Sequence, residues 1–421
     1  MKEKGDTDMS DHLTDIQEKR IREQYNVLKS NATSIVEPAE LLKKIEMSVV
    51  KNKPLHVKLG LDPSAPDIHL GHLVVLKKLK EFQKFGHIIQ LVIGDFTGMI
   101  GDPTGKSEAR NQLSKANVEK NAQTYVAQFA RVLDMDQVEI HYNSTWLASL
   151  DTRQLIDILS TTTVARMLER NDFTKRFSNQ TPIYLHEFLY PLFQGYDSVA
   201  LHTDVELGGN DQRYNLLVGR HLQEHFNQEK QVILTMPLLI GLDGKLKMSK
   251  SKNNYIGINE SPENIFGKIM SISDSQMLDY YKLISSFGVQ KIENLELQLK
   301  NGEVNPRDVK AALAKDIITQ LYDSERAQFA ETEFKKVFSQ KSIPSHITEF
   351  DWLWDKTTSV QELFTKTGLL SSKSAVTRML NNGGLRINAK KLSESQGVIE
   401  VHDGMVVQVG KRNFLKIRLN K

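Results

Sequence analysis

The stretch LHVKLGLDPSAPDIHLGHLVVLKKLKEFQKFGHIIQLVIG, residues 55–94, decides the fold. Its opening run, Leu55 to Leu61, is short and apolar and predicts a strand. Pro63 and Pro66 disfavour helix at the residues before them, so 62–67 reads as a loop. From His69 the apolar residues Leu73, Leu76, Leu79 and Phe82 recur at helical spacing up to Phe85, and Gly86 marks a stop. Residues 87–94, HIIQLVIG, read as a buried strand. Strand, helix and strand in this order predict a βαβ unit, and with it an α/β domain on a parallel sheet. Ligands bind such sheets at the carboxyl ends of the strands, where the loops before His69 and after Gly94 belong.

The second of those loops, GDFTGMIGDPTGKS (94–107), ends like a phosphate-binding P-loop, but the first glycine of that motif would fall on Ile100. The P-loop reading is therefore set aside. His69 and His72 share one face of a helix start, where free N–H groups and the positive helix end favour an anion. Gly71 between them lets a flat ring approach the backbone. By themselves they read equally well as two surface histidines; a metal would need further ligands that nothing nearby supplies.

Far downstream, after an apolar run at 232–240 and the turn-like Gly241-Leu242-Asp243-Gly244, stands Lys247-Met248-Ser249-Lys250-Ser251. Two lysines three apart on a flexible loop suit polyphosphate, although a lone basic pentapeptide is usually a solvated surface. The two motifs in this order point to ATP chemistry in which a carboxylate attacks the α-phosphate and pyrophosphate leaves. No protein nucleophile is needed, only in-line positioning and cations. His69 and His72 would hold the phosphates from one side and Lys247 and Lys250 from the other. Mg²⁺ is expected with the ATP, held largely through the phosphates.

A chain of 421 residues is too long for one core, so two or three domains are expected. The net charge of +3 neither demands nor excludes a nucleic-acid partner. With no cysteine, disulfides, thiolate zinc sites and a cysteine nucleophile are excluded together. No apolar run is long enough for a membrane span, and the charged N-terminus lacks a signal-peptide core, so a soluble cytoplasmic protein is expected. Helical patterns occupy 13–28, a stretch from Pro38, 111–134, 144–168 and 183–201; strands are expected at 138–142, 205–208 and 232–239. The polar segment 171–182, with Lys175 and Arg176, reads as a loop or mobile tip. Residues 262–338 are helical in pattern, 341–356 reads as a linker, and 357–421 as a small basic α+β unit with the turn Asn381-Asn382-Gly383-Gly384.

The motif set resembles the bacterial tyrosyl-tRNA synthetases, a class I aminoacyl-tRNA synthetase family. HLGH (69–72) and KMSKS (247–251) stand for the two signatures; YPLFQGYD (190–197) and LGGNDQ (207–212) resemble the tyrosine-pocket stretches. The last part of the chain resembles an S-four-like RNA-binding module. The resemblance implies a Rossmann-like doubly wound catalytic domain over 1–257 with a dimerisation segment inserted near 114–182. An anticodon-binding helical domain over 258–340 and the RNA-binding module over 357–421 would follow. It implies L-tyrosine, ATP and tRNA(Tyr) as substrates and a homodimer. Carried over by motif position, Thr97, Asp102, Tyr190, Gln194 and Gln212 would bind tyrosine, Asp197 would accept its phenol O–H, and Asp62, Gly71, Asp211, Gln212, Met248 and Ser249 would line the nucleotide side. Lys106 and Arg110 would reach pyrophosphate.

One position departs from the common pattern. Where many relatives have a tyrosine that meets the substrate phenol, this chain has Lys58, which either assists Asp197 or points to solvent from a strand end. Other readings are a tryptophanyl-tRNA synthetase, a catalytically inactive synthetase-like RNA-binding protein, and a small-molecule nucleotidyltransferase. LGGNDQ and the C-terminal module weigh against the first, the intact histidines and lysines against the second, and the C-terminal module against the third.

Overall fold

A computed structural model describes residues 13–63, 67–104, 115–339, 347–392, 398–410 and 413–419. Contacts divide the chain into two units, Met1–Glu260 with Ile272–Pro306, and Ser261–Ser271 with Arg307–Lys421.

The first unit is built on six strands: β1 (Ser34–Val36), β2 (His56–Leu61), β3 (Ile88–Ile93), β4 (Val138–Tyr142), β5 (Val205–Gly209) and β6 (Val232–Met236). Their order is β1-β6-β5-β2-β3-β4, with β1 antiparallel to β6 and the rest parallel. The predicted βαβ unit is present, with β2 and β3 in register from His56↔Ile88 to Leu61↔Ile93. All of β6 and most of β3 are buried, as expected of a parallel sheet covered on both faces. The chain leaves β2 toward β3 and β4, then returns to its other side as β5 and β6. That reversal makes a switch point between β2 and β5, where open α/β sheets bind ligands.

The helix after β2, Leu70–Lys84, buries Leu73, Leu76, Leu79 and Phe82, the stripe read from the sequence, together with Leu70, and Gly86 closes it at φ +85°. The expected helix over 144–168 is three short ones, Ser144–Leu147, Thr152–Ser160 and Val164–Leu168. Asp151 and Thr163 restart it, each accepting a backbone N–H as N-cap. The segment 171–182 is not a loop throughout: Asn171–Ser178 is a helix. Its Phe173 is fully buried against Phe188 (ring centroids 4.9 Å apart), and Arg176 is 2% exposed and forks onto Glu187 at 2.6 and 2.9 Å. The partners that fold it lie downstream, on the helix Leu185–Ala200 that contains Pro191.

The contact boundary runs through the helical layer rather than along its edge near 257. Helices Asp274–Ile284 and Val289–Lys300 belong to the first unit; Pro262–Ile269, Pro306–Leu321 and Ser324–Ser339 lie in or enter the second. The second unit also holds the strands β7 (Glu349–Trp352), β8 (Thr357–Ser359), β9 (Leu385–Ile387), β10 (Lys390–Lys391), β11 (Val398–Glu400), β12 (Val406–Val409) and β13 (Asn413–Leu419). Five of them form a sheet ordered β10-β9-β12-β13-β7. The expected linker 341–356 is thus partly structured, because β7 pairs in parallel with β13, from Glu349↔Lys416 to Trp352↔Leu419. Trp352, Phe364, Val376, Val407 and Ile417 share one buried core, closed by helices Val360–Lys366 and Lys373–Asn381.

Candidate active site

A cavity of about 520 Å³ opens at the carboxyl ends of β2, β3, β4 and β5. It brings together Asp62, His69, Gly71, His72, Thr97, Asp102, Tyr190, Gln194, Asp197, Asp211, Gln212, Lys247, Met248 and Ser249, residues that the sequence places in five separate stretches. Its volume is that of a small-molecule site.

At the nucleotide end, His69 is the N-cap of Leu70–Lys84 and its Nδ1 accepts from Gly71 N at 3.1 Å. His72 Nδ1 in turn accepts from His69 N at 3.2 Å. With both Nδ1 atoms used as acceptors, each neutral ring carries its proton on Nε2. Burial is the main reason that neither ring is charged at neutral pH: it pushes His69 to about 2, helped by His72, Lys250 and Lys247, and His72 to about 4, helped by Lys250. The pair therefore offers neutral N–H donors to phosphate oxygens. A Cβ at Gly71 would lie 2.9 Å from the His69 ring, so this geometry needs glycine.

The loop with the two lysines is held in place. Lys247 ion-pairs with Asp211 Oδ2 at 2.5 Å. Met248 is buried, and its N–H donates to Leu239 O. Asn254, 3% exposed, is the anchor: its Oδ1 accepts from Ser249 N at 2.8 Å and its Nδ2 donates to Asp243 Oδ2 at 2.8 Å and Lys247 O at 3.2 Å. Lys250 opens a short 3₁₀ turn and is not among the side chains lining the cavity. Its charge nonetheless acts on both histidines, and burial pushes its ammonium down to about 8 against the pull of Asp67.

The far end is polar and more deeply buried. Asp62 accepts from Thr97 Oγ1 and from Tyr190 OH, both at 2.8 Å, and so ties β2 to the loop after β3 and to Leu185–Ala200. A Cβ at Gly94 would sit 2.1 Å from Asp62 Oδ1, so glycine is required there too. Asp102 is both a turn residue, accepting from Thr104 N at 2.9 Å, and a cavity carboxylate, held by Gln212 Nε2 at 2.8 Å. Among the described residues, the buried Gln194 Oε1 has no hydrogen-bond partner, which leaves it as an acceptor for a ligand.

Asp197, 3% exposed, accepts from Trp146 Nε1 at 2.9 Å and from Asn143 Nδ2 at 3.3 Å. Burial pushes its carboxyl up to about 7; Lys58 and these two hydrogen bonds pull the other way, and Glu206 adds to the rise. Lys58 does not point to solvent. It lies outside the cavity lining, at 0% exposure, with Nζ 2.8 Å from Glu206 Oε1. Lys106 and Arg110 fall outside the described residues.

Asn143, Trp146, Asn254 and Glu206 were not singled out from the sequence. Asn143 and Trp146 follow directly after β4, so the rule that placed the other loops would have reached them; Asn254 and Glu206 carry no local signal.

Residues 50–339 match the family model described as tRNA synthetases class I (W and Y). A tyrosine–tRNA ligase of Moorella thermoacetica is 46% identical over 404 residues, covering 95% of this chain and 97% of that protein. One from Haemophilus influenzae is 48% identical over 394 residues, covering 94% and 96%. Among solved structures, a tyrosyl-tRNA synthetase of Archaeoglobus fulgidus complexed with L-tyrosine superposes with a TM-score of 0.60 at 26% identity, covering 74% of this chain and 99% of that one. With residues of both signatures lining one cavity, and with relatives this similar along nearly its whole length, the chain belongs to the bacterial tyrosyl-tRNA synthetases of the class I family.

Proposed function

We propose that the cavity activates L-tyrosine with ATP to tyrosyl-adenylate and pyrophosphate and then passes the tyrosyl group to the 3′ end of tRNA(Tyr). The observation that carries this reading is Asp197, a carboxylate fixed by Trp146 and Asn143 at the inner end of a cavity whose other end holds His69, His72 and Lys247. A phenol O–H donates to Asp197, while Asp102, Gln194, Thr97 and Tyr190 surround the α-ammonium with one charge and several acceptors. The tyrosine carboxylate then lies toward Gln212 and attacks the α-phosphate. The P–O bond to the β-phosphate breaks, and pyrophosphate leaves with its electrons.

His69 and His72 donate to the phosphates through Nε2–H. Lys247 and Lys250, with Lys106 and Arg110 as further cations, neutralise charge that grows on the departing group. Lys247 exchanges Asp211 for phosphate when ATP enters. Asp211, Met248, Ser249 and Gly71 shape the nucleotide side. Mg²⁺ arrives with ATP as its counter-ion. In the second step the terminal ribose hydroxyl attacks the carbonyl carbon of the adenylate and AMP leaves.

The protein acts as a homodimer in the cytoplasm. Leu185 (83% exposed), Val164, Phe177 and Ile156 leave apolar surface uncovered around the segment expected to form the interface. No described helix is long and apolar enough to cross a membrane. The test is to mix the protein with tyrosine and labelled ATP without tRNA. Enzyme-bound tyrosyl-adenylate should accumulate and be discharged when tRNA(Tyr) is added. No adenylate before tRNA addition would contradict the two-step reading.

A further inference from the structure

Lys58 and Glu206 are register partners across the parallel strands β2 and β5, and both are withdrawn from solvent, at 0% and 1% exposure. Lys58 Nζ lies 2.8 Å from Glu206 Oε1 and also donates to Ser198 Oγ at 2.5 Å and to the Gln194 carbonyl at 3.1 Å. Glu206 Oε2 accepts from Ser198 Oγ at 3.1 Å and from Gln231 Nε2. Space for this network depends on Gly219, where a Cβ would come within 2.8 Å of Gln231 Nε2. Neither charged residue lines the cavity, yet Ser198 and Gln194 bracket Asp197 on the same turn of Leu185–Ala200.

A fully buried ion pair is rarely more stabilising than well-packed apolar side chains of the same volume, so stability alone does not account for it. We propose that the Lys58–Glu206 pair is a positioning device for tyrosine selection, with Glu206 a specificity-determining residue that never meets the substrate. The pair pins the helix turn that presents Asp197 and balances the charge that Asp197 experiences from below. The ammonium favours the ionised carboxylate that accepts the phenol proton; Glu206 opposes it and keeps that pull in check. The groups facing Asp197 are Lys58 from β2, Glu206 from β5, and Asn143 and Trp146 from the end of β4. This inference rests on Asp197 being the phenol acceptor.

The test is the pH profile of kcat/KM for tyrosine, which reports groups of the free enzyme. In Glu206→Gln the ammonium is no longer balanced, so the acid limb should move down by about one pH unit. In the double variant Lys58→Met, Glu206→Gln both charges go, no unpaired charge is buried, and the limb should move up by about one pH unit, with the preference for tyrosine over phenylalanine at pH 7 falling roughly fivefold. If Glu206→Gln does not fold, the double variant decides. Asp197→Asn serves as the control and should abolish the limb. A limb that stays at its wild-type position in the 58 and 206 variants, while Asp197→Asn removes it, overturns the inference and leaves the pocket reading intact. A limb that survives Asp197→Asn overturns both.

Discussion

Asp197 in the cavity and Lys250, outside its lining, are both shifted by burial toward neutrality, from opposite directions. The Asp197 carboxyl, lifted by burial to about 7, gains a proton as pH falls and loses the charge that strengthens its bond from the phenol O–H. kcat/KM for tyrosine should therefore decline below about pH 7. Lys250, lowered by burial to about 8, loses its proton as pH rises, so kcat/KM for ATP should decline above about pH 8, and Lys250→Arg should remove that limb because a guanidinium stays charged. Both profiles are measured by steady-state pyrophosphate exchange; a flat tyrosine profile between pH 5 and 8 would contradict the role given to Asp197. Phenylalanine differs from tyrosine only by a hydroxyl, and it leaves the buried Asp197 without that partner. Replacing Asp197 by alanine should lower the ratio of kcat/KM for tyrosine over phenylalanine by roughly 10²-fold, about 3 kcal/mol, the cost of an unmet buried polar group. Lys247→Ala and Lys250→Ala should slow adenylate formation by roughly 10²–10³-fold while leaving tyrosine affinity unchanged, since both cations act on phosphate in the transition state. Stopped-flow activation kinetics separate these effects.

At the scale of elements, the lysine loop owes its shape to one side chain beyond its own motif. Asn254 bonds Ser249 N, Asp243 Oδ2 and Lys247 O, so Asn254→Ala should loosen the loop. It should raise KM for ATP and slow activation roughly tenfold with tyrosine affinity kept; an unchanged activation rate would show that the loop is shaped without it. Periodicity and turn residues made β2, Leu70–Lys84 and β3 legible because each buries its own local run of apolar residues. The helix Asn171–Ser178 was not legible, because Arg176 and Phe173 are buried by Glu187 and Phe188 across the intervening chain. β7 was missed for the same reason: its partner β13 is the last strand of the chain. In the site, residues inside recurrent motifs could be placed from sequence. The supports of those residues could not: Trp146, Asn143 and Glu206 act through contacts distant in the chain, and Asn254 acts through an irregular loop that no periodicity marks.

On the scale of the whole molecule, the pairing of β7 with β13 sets where the chain can be cut. Ending it before Ile347 removes the entire sheet β10-β9-β12-β13-β7, whereas a cut inside 349–352 leaves a strand without its partner. The shortened protein should still activate tyrosine but charge tRNA(Tyr) poorly. Exposed Lys373, Arg378, Lys390 and Lys391 and half-buried Arg386 are the described candidates for backbone contacts; Lys411 and Arg412 fall outside the described residues. The lost affinity should be the salt-dependent part, and full charging at moderate salt would contradict an RNA-binding role. Leu185→Glu should weaken self-association, read by sedimentation, if the uncovered apolar surface is the dimer interface. The central claim is that one cavity selects tyrosine at Asp197 and activates it at His69, His72, Lys247 and Lys250. Amino-acid-dependent ATP–pyrophosphate exchange, run with each of the twenty amino acids in turn, tests it most directly. Exchange supported by tyrosine far above all others is the predicted result; exchange driven by tryptophan, or by no amino acid, would contradict it.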